Sequence, residues 1–189
     1  MIDIGANLTN KRFENDIDQV LANALQADVE NIIITGTDIF NSTQALQLCN
    51  RYPFLYSTAG VHPHAASTFD KHSLTCLRHL LDQPQVVAVG ETGLDFNRNF
   101  STKEQQIYAF EQQLELAIET NMPVFLHERE SFETQYRNLE PLAKHLKDAV
   151  VHCFTGNQHA LEAYLQLGFY IGITGWICDE RRGQELESI

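Results

Sequence analysis

Three side chains that commonly bind metal ions each follow a short apolar segment of this sequence. Glu91 closes the segment VVAVGE, His127 belongs to PVFLHE, and His152 belongs to AVVHCF. Such short, β-branched segments are typical of buried parallel strands. If the three strands are neighbours in one barrel, their C-terminal ends open into the same mouth, where a carboxylate and two imidazoles would meet. This pattern predicts a metal-dependent hydrolase.

Each of these residues also has a simpler interpretation. A glutamate at a strand end can form an ion pair at the rim, and a histidine there is more often a hydrogen-bonded structural residue than a ligand. The equivalent positions in three successive segments favour the shared metal site, since neutral imidazole binds divalent transition metals. We therefore expect Glu91, His127 and His152 to be metal ligands, and Glu91 to be essential for catalysis.

The segment GVHPH adds two histidines after another apolar segment. Gly60 and Pro63 predict that the chain is already turning into a loop there. We expect His62 to lie at the mouth of the barrel as a substrate contact or proton carrier. We expect His64 to cap or hydrogen-bond the loop.

Phosphate and base contacts have weaker candidates. Arg129, two residues after His127, is the strongest candidate for a bidentate phosphate contact. Trp176 and Phe154 could stack on a base, although aromatic residues beside strand ends also serve as packing. Three further arginines follow apolar segments, and the last two could equally begin a solvated helix: Arg98, Arg181 and Arg182.

The elements that must position these residues alternate between strand-like and helix-like segments. A long helix is expected to begin at Ser101, with Glu104 completing a capping box. The alternation predicts a parallel α/β architecture, and candidate ligands at C-terminal strand ends favour a (β/α)8 TIM barrel over a doubly wound sheet. No GxGxxG follows the first strand, which argues against a dinucleotide-binding fold. The seven strand-like segments are MIDIGA, NIIITG, FLYSTAG, VVAVGE, PVFLHE, AVVHCF and GFYIGITG.

Length and composition limit the possibilities further. The 189 residues can form one core, so we expect a single domain over residues 1–189. Because a complete barrel takes about 250 residues, we expect this one to lack its last strand and helix. No apolar run of about 20 residues and no secretory signal is present. The four scattered cysteines favour free thiols in a cytoplasmic protein.

The net charge of −12 bears on any nucleic-acid substrate. Proteins that hold nucleic acid through many phosphate contacts normally present a basic surface. A phosphate substrate must here be recognised locally, by a metal ion and a few arginines, because long-range steering would oppose its approach.

Five motifs in order resemble the TatD family of metal-dependent deoxyribonucleases over the whole chain: GVHPH, GETGLDFNRNF, PVFLHER, HCFTG and YIGITGWICDERRG. The resemblance implies a barrel of the metal-dependent hydrolase superfamily. It also implies a cytoplasmic 3′–5′ exonuclease for single-stranded DNA and RNA, with a role in the repair of oxidatively damaged DNA. It places the metal ligands on Glu91, His127 and His152. It implies Mg²⁺, whereas two imidazoles favour Mn²⁺ or Zn²⁺ by ligand softness.

Two departures from the family pattern stand out. Gly5 and Asn7 occupy the positions where most relatives carry an HxH motif, and the aspartate of an ETDAPY-like eighth strand is absent. Two alternatives remain: a barrel hydrolase for another substrate, such as an aminoacyl-tRNA ester, and an inactive truncated fragment. We expect the 3′ ends of single strands as substrate, no membrane association and a monomeric protein.

Overall fold

A computed structural model describes residues 1–178 of the chain as a seven-stranded, entirely parallel sheet in sequential order. Each strand pairs with the next one in sequence, as in a (β/α)8 barrel, and the sheet curls as part of such a barrel. All seven predicted strands are confirmed. They are β1 (Ile2–Ala6), β2 (Asn31–Ile34), β3 (Leu55–Ala59), β4 (Val86–Asp95), β5 (Val124–Arg129), β6 (Ala149–Val151) and β7 (Tyr170–Ile171).

Among residues 1–178, six α-helices connect successive strands, and three short 3₁₀ helices lie in the loops. The α-helices are α1 (Ile17–Gln26), α2 (Ile39–Cys49), α3 (Lys71–Leu81), α4 (Lys103–Thr120), α5 (Phe132–Leu139) and α6 (Gln158–Gln166). The 3₁₀ helices are Lys11–Phe13, Pro63–Thr68 and Gly175–Cys178. Within residues 1–178, none of the helices combines the length and the apolar character that crossing a bilayer requires.

The beginning of α4 differs from the sequence prediction by one residue. The capping box is formed by Thr102 and Gln105, not by Ser101 and Glu104. Ser101 is buried, and its hydroxyl donates instead to the carbonyl of His64 at 3.1 Å. The prediction was wrong because the Ser101 side chain ties two loops together and is therefore not available to the helix.

The core has two parts. The larger part lies between β3–β7 and the helices α3–α6, and the smaller part lies between β1–β3 and the helices α1 and α2. Both are made of apolar side chains from strands that are covered by helices, as expected for a parallel sheet. Fully buried members include Val89, Phe110, Leu126, Val151 and Ile34.

Two glycines fix the path of β4 next to β5. Gly90 and Gly93 have φ angles of +146° and +141°, which side-chain-bearing residues rarely adopt. A β-carbon at either position would overlap the backbone of β5, at the carbonyl oxygens of Phe125 and His127. These two glycines bracket Glu91, so the close approach of the two backbones determines where the Glu91 carboxylate lies.

The strands do not all end where the sequence suggested. β4 continues four residues past Glu91 to Asp95, and β5 continues two residues past His127 to Arg129. His152 follows the last residue of β6 directly. Arg181 and Arg182, two of the candidate phosphate contacts, lie outside the described residues.

Candidate active site

Glu91, His127 and His62 form a compact group at the C-terminal side of the sheet. His127 Nδ1 lies 2.9 Å from Glu91 Oε1, and His62 Nε2 lies 3.8 Å from the same oxygen. One potential ligand atom from each residue lies within 4.8 Å of the other two. Glu91 is 8% exposed, so its carboxylate is almost entirely removed from water. Two of the three predicted ligands and the predicted substrate residue His62 are therefore brought together.

Asp95 is a functional candidate that sequence reasoning missed. Its Oδ2 lies 2.8 Å from His64 Nε2 and 3.4 Å from His127 Nε2. Its Oδ1 accepts hydrogen bonds from the backbone N–H groups of Asn97 and Arg98 at 3.1 and 2.9 Å. His127 therefore lies between two carboxylates, with Nδ1 toward Glu91 and Nε2 toward Asp95.

A buried glutamine forms hydrogen bonds with the main chain of Asp95. Gln106 in α4 accepts a hydrogen bond from the Asp95 N–H at 2.9 Å and donates to the Asp95 carbonyl at 3.1 Å. Its side chain is completely buried. Helix α4 thus fixes the main chain at the end of β4, and the position of the Asp95 carboxylate follows from it.

His62 and His64, the two histidines of GVHPH, both make contacts near the Glu91 group. His62 is the N-cap of the 3₁₀ helix Pro63–Thr68, because its Nδ1 accepts a hydrogen bond from the His64 N–H at 3.1 Å. His64, which was expected to cap or hydrogen-bond the loop, contacts Asp95 through Nε2 at 2.8 Å. The remaining nitrogen of His62, Nε2, faces Glu91, as a residue at the mouth would.

His152 lies beside the compact group. Its ring stacks on Phe125 with ring centroids 4.7 Å apart, and its buried Nδ1 has no hydrogen-bond partner among residues 1–178. Burial lowers the pKa of His152, whereas the charge of Glu91 acts in the opposite direction. The charge of Glu91 therefore affects His152, and the unpaired Nδ1 of His152 is available to bind a metal ion.

The pKa values of the two central histidines move in opposite directions. Burial would lower the pKa of His127, but its contacts with Asp95 and Glu91 prevail and raise it to about 9. Burial lowers the pKa of His62 to about 3, and the nearby charge of Glu91 offsets this only in part. His62 is therefore a neutral imidazole, and because its Nδ1 accepts from the His64 N–H, its proton lies on Nε2, toward Glu91.

Both carboxyl groups are ionised. Burial would raise the pKa of Glu91 and of Asp95, but hydrogen bonds and positive charge outweigh it and lower both. For Glu91 the main opposing contribution is the hydrogen bond to His127, and for Asp95 it is the contact with the same ring. The site therefore combines two buried anions with imidazole nitrogens.

This donor set fits a divalent cation. Glu91 offers a carboxylate oxygen, and the neutral imidazole of His62 lies 3.8 Å from it. A further buried nitrogen, His152 Nδ1, lacks a hydrogen-bond partner among the described residues, which is unusual for a buried polar atom. Carboxylates and imidazoles are ligands of divalent metal ions, and a bound ion would also give the unpaired nitrogen a partner.

The comparisons with known proteins agree with this geometry. The family model described as "TatD related DNase" matches residues 2–189. The chain belongs to the TatD family. It is 54% identical over 190 residues to the "3'-5' ssDNA/RNA exonuclease TatD" of Erwinia tasmaniensis and 49% identical over 189 residues to that of Salmonella typhimurium. In both cases the match covers 100% of this chain and 73% of the relative.

Solved structures of TatD proteins have the same fold. A TatD homologue from Escherichia coli K12 matches with a TM-score of 0.85 and 34% identity, over 94% of this chain and 69% of that one. A TatD family hydrolase from Entamoeba histolytica matches with a TM-score of 0.86 and 32% identity, over 93% and 65% of the two chains. The predicted α/β barrel fold and the predicted family are both confirmed.

The first strand explains one departure from the TatD pattern. A β-carbon built on Gly5 would lie 2.6 Å from His152 Cε1 and 3.0 Å from His152 Nδ1. The His152 ring thus fills the space that a side chain at position 5 would need. A histidine at Gly5 and the present position of His152 exclude each other on steric grounds.

The candidates for phosphate and base contacts, Arg129, Phe154 and Trp176, differ in their surroundings. Arg129 pairs in register with Asp95, and strand alternation places its side chain on the same face of β5 as His127. Its guanidinium forms no hydrogen bond or ion pair within residues 1–178, so it is available to an anion. Phe154 is 3% exposed and packs near Tyr164, so of its two interpretations it follows packing in the core. Trp176 is half-buried in the 3₁₀ helix Gly175–Cys178.

Proposed function

We propose that this protein is a metal-dependent exonuclease that removes nucleotides from the 3′ ends of single-stranded DNA and RNA. The observation that carries the proposal is the buried group of Glu91, His127 and His62, in a chain 54% identical to a protein named 3′–5′ ssDNA/RNA exonuclease. The reaction is hydrolysis of a phosphodiester bond.

The proposed metal ligands are Glu91, His127 and His152, and His62 lies close enough to join them. Glu91 is the centre of the set, because His127 and His62 both face its Oε1. A bound divalent ion would act as a Lewis acid toward the phosphate and would lower the pKa of a water molecule. We propose Mg²⁺ as the working ion, with Mn²⁺ and Zn²⁺ as alternatives that imidazole ligands tolerate well.

The other side chains bind and orient. Asp95 holds His127 through Nε2, which leaves Nδ1 directed at the Glu91 carboxylate. Arg129, on the same face of β5, binds a phosphate oxygen through its unpaired guanidinium. His62 is a neutral imidazole whose Nδ1 accepts from the His64 N–H, so its Nε2 donates a hydrogen bond toward Glu91 or a substrate oxygen. Burial of Glu91 and Asp95 keeps bulk water away from these contacts.

The acidic composition indicates that the protein contacts only a short length of nucleic acid. With a net charge of −12, the protein gains little from contacts along a long duplex, and a strand end is a more suitable substrate. We propose that the protein acts as a cytoplasmic monomer without membrane association. A role in repair of oxidatively damaged DNA is consistent with the removal of damaged 3′ ends.

The test is an oligonucleotide digestion assay. A single strand labelled at its 5′ end should give a ladder that shortens from the 3′ end with Mg²⁺, and EDTA should abolish it. A Glu91→Gln variant should lose about 100- to 1000-fold in kcat, the range known for loss of a group that stabilises the transition state. The matched control is Glu111→Gln, which changes an exposed glutamate on α4.

Two results would contradict the proposal. An active Glu91→Gln variant would remove Glu91 from the site, and a ladder that shortens from the 5′ end would reverse the proposed direction. Hydrolysis of an aminoacyl-tRNA ester by a protein that leaves single strands intact would favour the alternative substrate. A folded protein that is inactive on both would favour the interpretation as an inactive fragment.

A further inference from the structure

Phe100 is an aromatic side chain that the fold leaves in solvent beside the candidate active site. It lies in the loop between β4 and α4 and is 68% exposed. Its ring contacts the ring of His64 edge to face, with centroids 4.7 Å apart and an interplanar angle of 77°. No other aromatic ring among the described residues contacts it. One face of a large apolar side chain is therefore open next to a polar site.

The His64 ring connects Phe100 directly to the Glu91 group. His64 Nε2 contacts Asp95 at 2.8 Å, and its ring centroid lies 4.3 Å from that of His62. His62 in turn faces Glu91. Phe100 is thus separated by a single imidazole from the residues proposed to act on the phosphodiester bond.

Hydrogen bonds on both sides of Phe100 hold its loop in place. Before it, the Asn97 and Arg98 N–H groups donate to Asp95 Oδ1, and Asn99 Nδ2 donates to the Phe96 carbonyl at 2.7 Å. After it, the buried Ser101 hydroxyl donates to the His64 carbonyl at 3.1 Å and accepts from the Ser67 N–H at 3.0 Å. The ring is therefore presented in a fixed position, which reduces the entropy lost on binding.

The surrounding charge favours a nucleotide over an apolar peptide as the occupant. Arg98 and Lys103 flank Phe100 in the chain, and both are exposed. Elsewhere the protein is acidic, so it needs local contacts that do not depend on net charge. Base stacking on an aromatic side chain is such a contact, since every base has a π-face.

We propose that Phe100 is a stacking platform for a base at or next to the 3′ end of a single-stranded substrate. The proposal rests on the exonuclease function proposed above and adds a nucleobase-binding site to it. The base stacks on the open face of Phe100, with Arg98 near its backbone phosphates. Stacking accepts every base, so this site favours single strands without favouring one sequence.

The first test compares substitutions at Phe100 in the intact chain. Phe100→Ala should raise KM for a single-stranded oligonucleotide by about 5- to 150-fold, the range of one lost base–aromatic stack, and should change kcat by less than about threefold. Phe100→Trp should retain the wild-type KM. The matched control is Leu165→Ala, a 52% exposed apolar residue on α6, which should leave both constants unchanged.

A second test removes the base instead of the side chain. We use strands with an abasic nucleotide at the last or at the next-to-last 3′ position. The wild type should bind one of these strands as weakly as Phe100→Ala binds the unmodified strand. On one of these strands, the KM difference between the two proteins should therefore vanish. An unchanged KM for Phe100→Ala, or an equal difference on normal and abasic strands, would overturn the proposal.

Binding without cleavage separates this proposal from the exonuclease function. In EDTA, fluorescence anisotropy of a labelled single strand should show tighter binding by the wild type than by Phe100→Ala. If the wild type cleaves strands and the two proteins bind equally, Phe100 is not the platform and the proposed function stands. If the wild type binds through Phe100 but cleaves nothing, the platform stands and the exonuclease proposal fails. A wild type that neither binds nor cleaves overturns both.

Discussion

The side-chain amide of Gln113 forms two hydrogen bonds with the main chain of Val61. Its Oε1 accepts from the Val61 N–H at 2.7 Å, and its Nε2 donates to the Val61 carbonyl at 3.0 Å. Val61 directly precedes His62, so α4 fixes the main chain after β3 just as Gln106 fixes it at Asp95. One helix therefore sets the spacing between the loop of His62 and the end of β4.

Replacing Gln113 with leucine should destabilise the protein strongly. The change keeps the volume but leaves a buried N–H and a buried carbonyl of Val61 unpaired, and each such group costs about 1–3 kcal/mol. The free energy of unfolding from urea titration should fall by about 2 kcal/mol or more. Gln47→Leu, at an exposed position on α2, is the matched control and should change it by less than about 0.5 kcal/mol.

Asp95→Asn should weaken metal binding while the fold is kept. The asparagine can still accept the Asn97 and Arg98 N–H bonds, but its amide nitrogen can no longer hold His127 Nε2 as a carboxylate does. Loss of such an outer partner typically costs 10- to 100-fold in metal affinity. Isothermal titration with Mn²⁺ should show this decrease.

The control for this titration is Asp148→Asn, an exposed aspartate that precedes β6. It should bind Mn²⁺ as the wild type does. An Asp95→Asn protein with unchanged affinity would show that His127 does not depend on Asp95 for its orientation.

Gly5→Ala should displace His152. The new methyl group would lie 2.6 Å from His152 Cε1, which no real β-carbon contact tolerates, so the ring must move. Overpacking of this kind typically costs 1–3 kcal/mol. The ¹⁵N and ¹³C resonances of the His152 ring, assigned by NMR, should shift.

Gly175→Ala is the matched control for this change. A β-carbon at Gly175 meets no atom within 4 Å, so the same added methyl group should leave stability and the His152 resonances unchanged. Equal stability losses in both variants would indicate a backbone effect of glycine replacement and not a contact with His152.

The cysteines should differ widely in reactivity. Burial raises the pKa of Cys49 to about 11, and a hydrogen bond with Ser57 opposes this only in part. From an ordinary value near 9, this reduces the thiolate fraction at pH 8 by roughly 100-fold. Iodoacetamide should therefore label the exposed Cys178 long before Cys49, as measured by peptide mass spectrometry.

Raising the pH from 8 toward 11 should increase Cys49 labelling, because its thiol ionises only as the pH approaches its raised pKa. Labelling in urea removes the effect of burial and should give similar rates at Cys49 and Cys178. Rapid labelling of Cys49 in the folded protein at pH 8 would mean that α2 opens readily.

The sequence was sufficient to predict the barrel and the centre of the site. Apolar segments that alternate with amphipathic ones identify the seven strands, and polar residues at their ends identify Glu91 and His127. His62 could be placed because Gly60 and Pro63 indicate the turn after β3. The fold prediction succeeds because it depends on local pattern and on the common direction of parallel strands, and the same direction brings Glu91, His127 and His62 together.

What the sequence did not reveal depends on contacts between distant segments. Asp95 was missed because β4 was expected to end at Glu91, whereas the glycines Gly90 and Gly93 let it continue close to β5. Phe100 was missed because its exposure follows from Ser101, which bonds to the His64 loop and does not cap α4. The stacking of His152 on Phe125 likewise depends on how the two side chains are oriented across neighbouring strands, which the sequence pattern does not specify.

The placement of His127 between Glu91 and Asp95 has a thermodynamic consequence. Two buried carboxylates flank one imidazole ring in the interior, and the surplus negative charge is costly in a region of low polarisability. Any cation that enters relieves this repulsion and binds the native chain in preference to the unfolded one. The melting temperature should then depend on the metal-ion concentration and should be higher in a solution with Mg²⁺ than in one with a chelator.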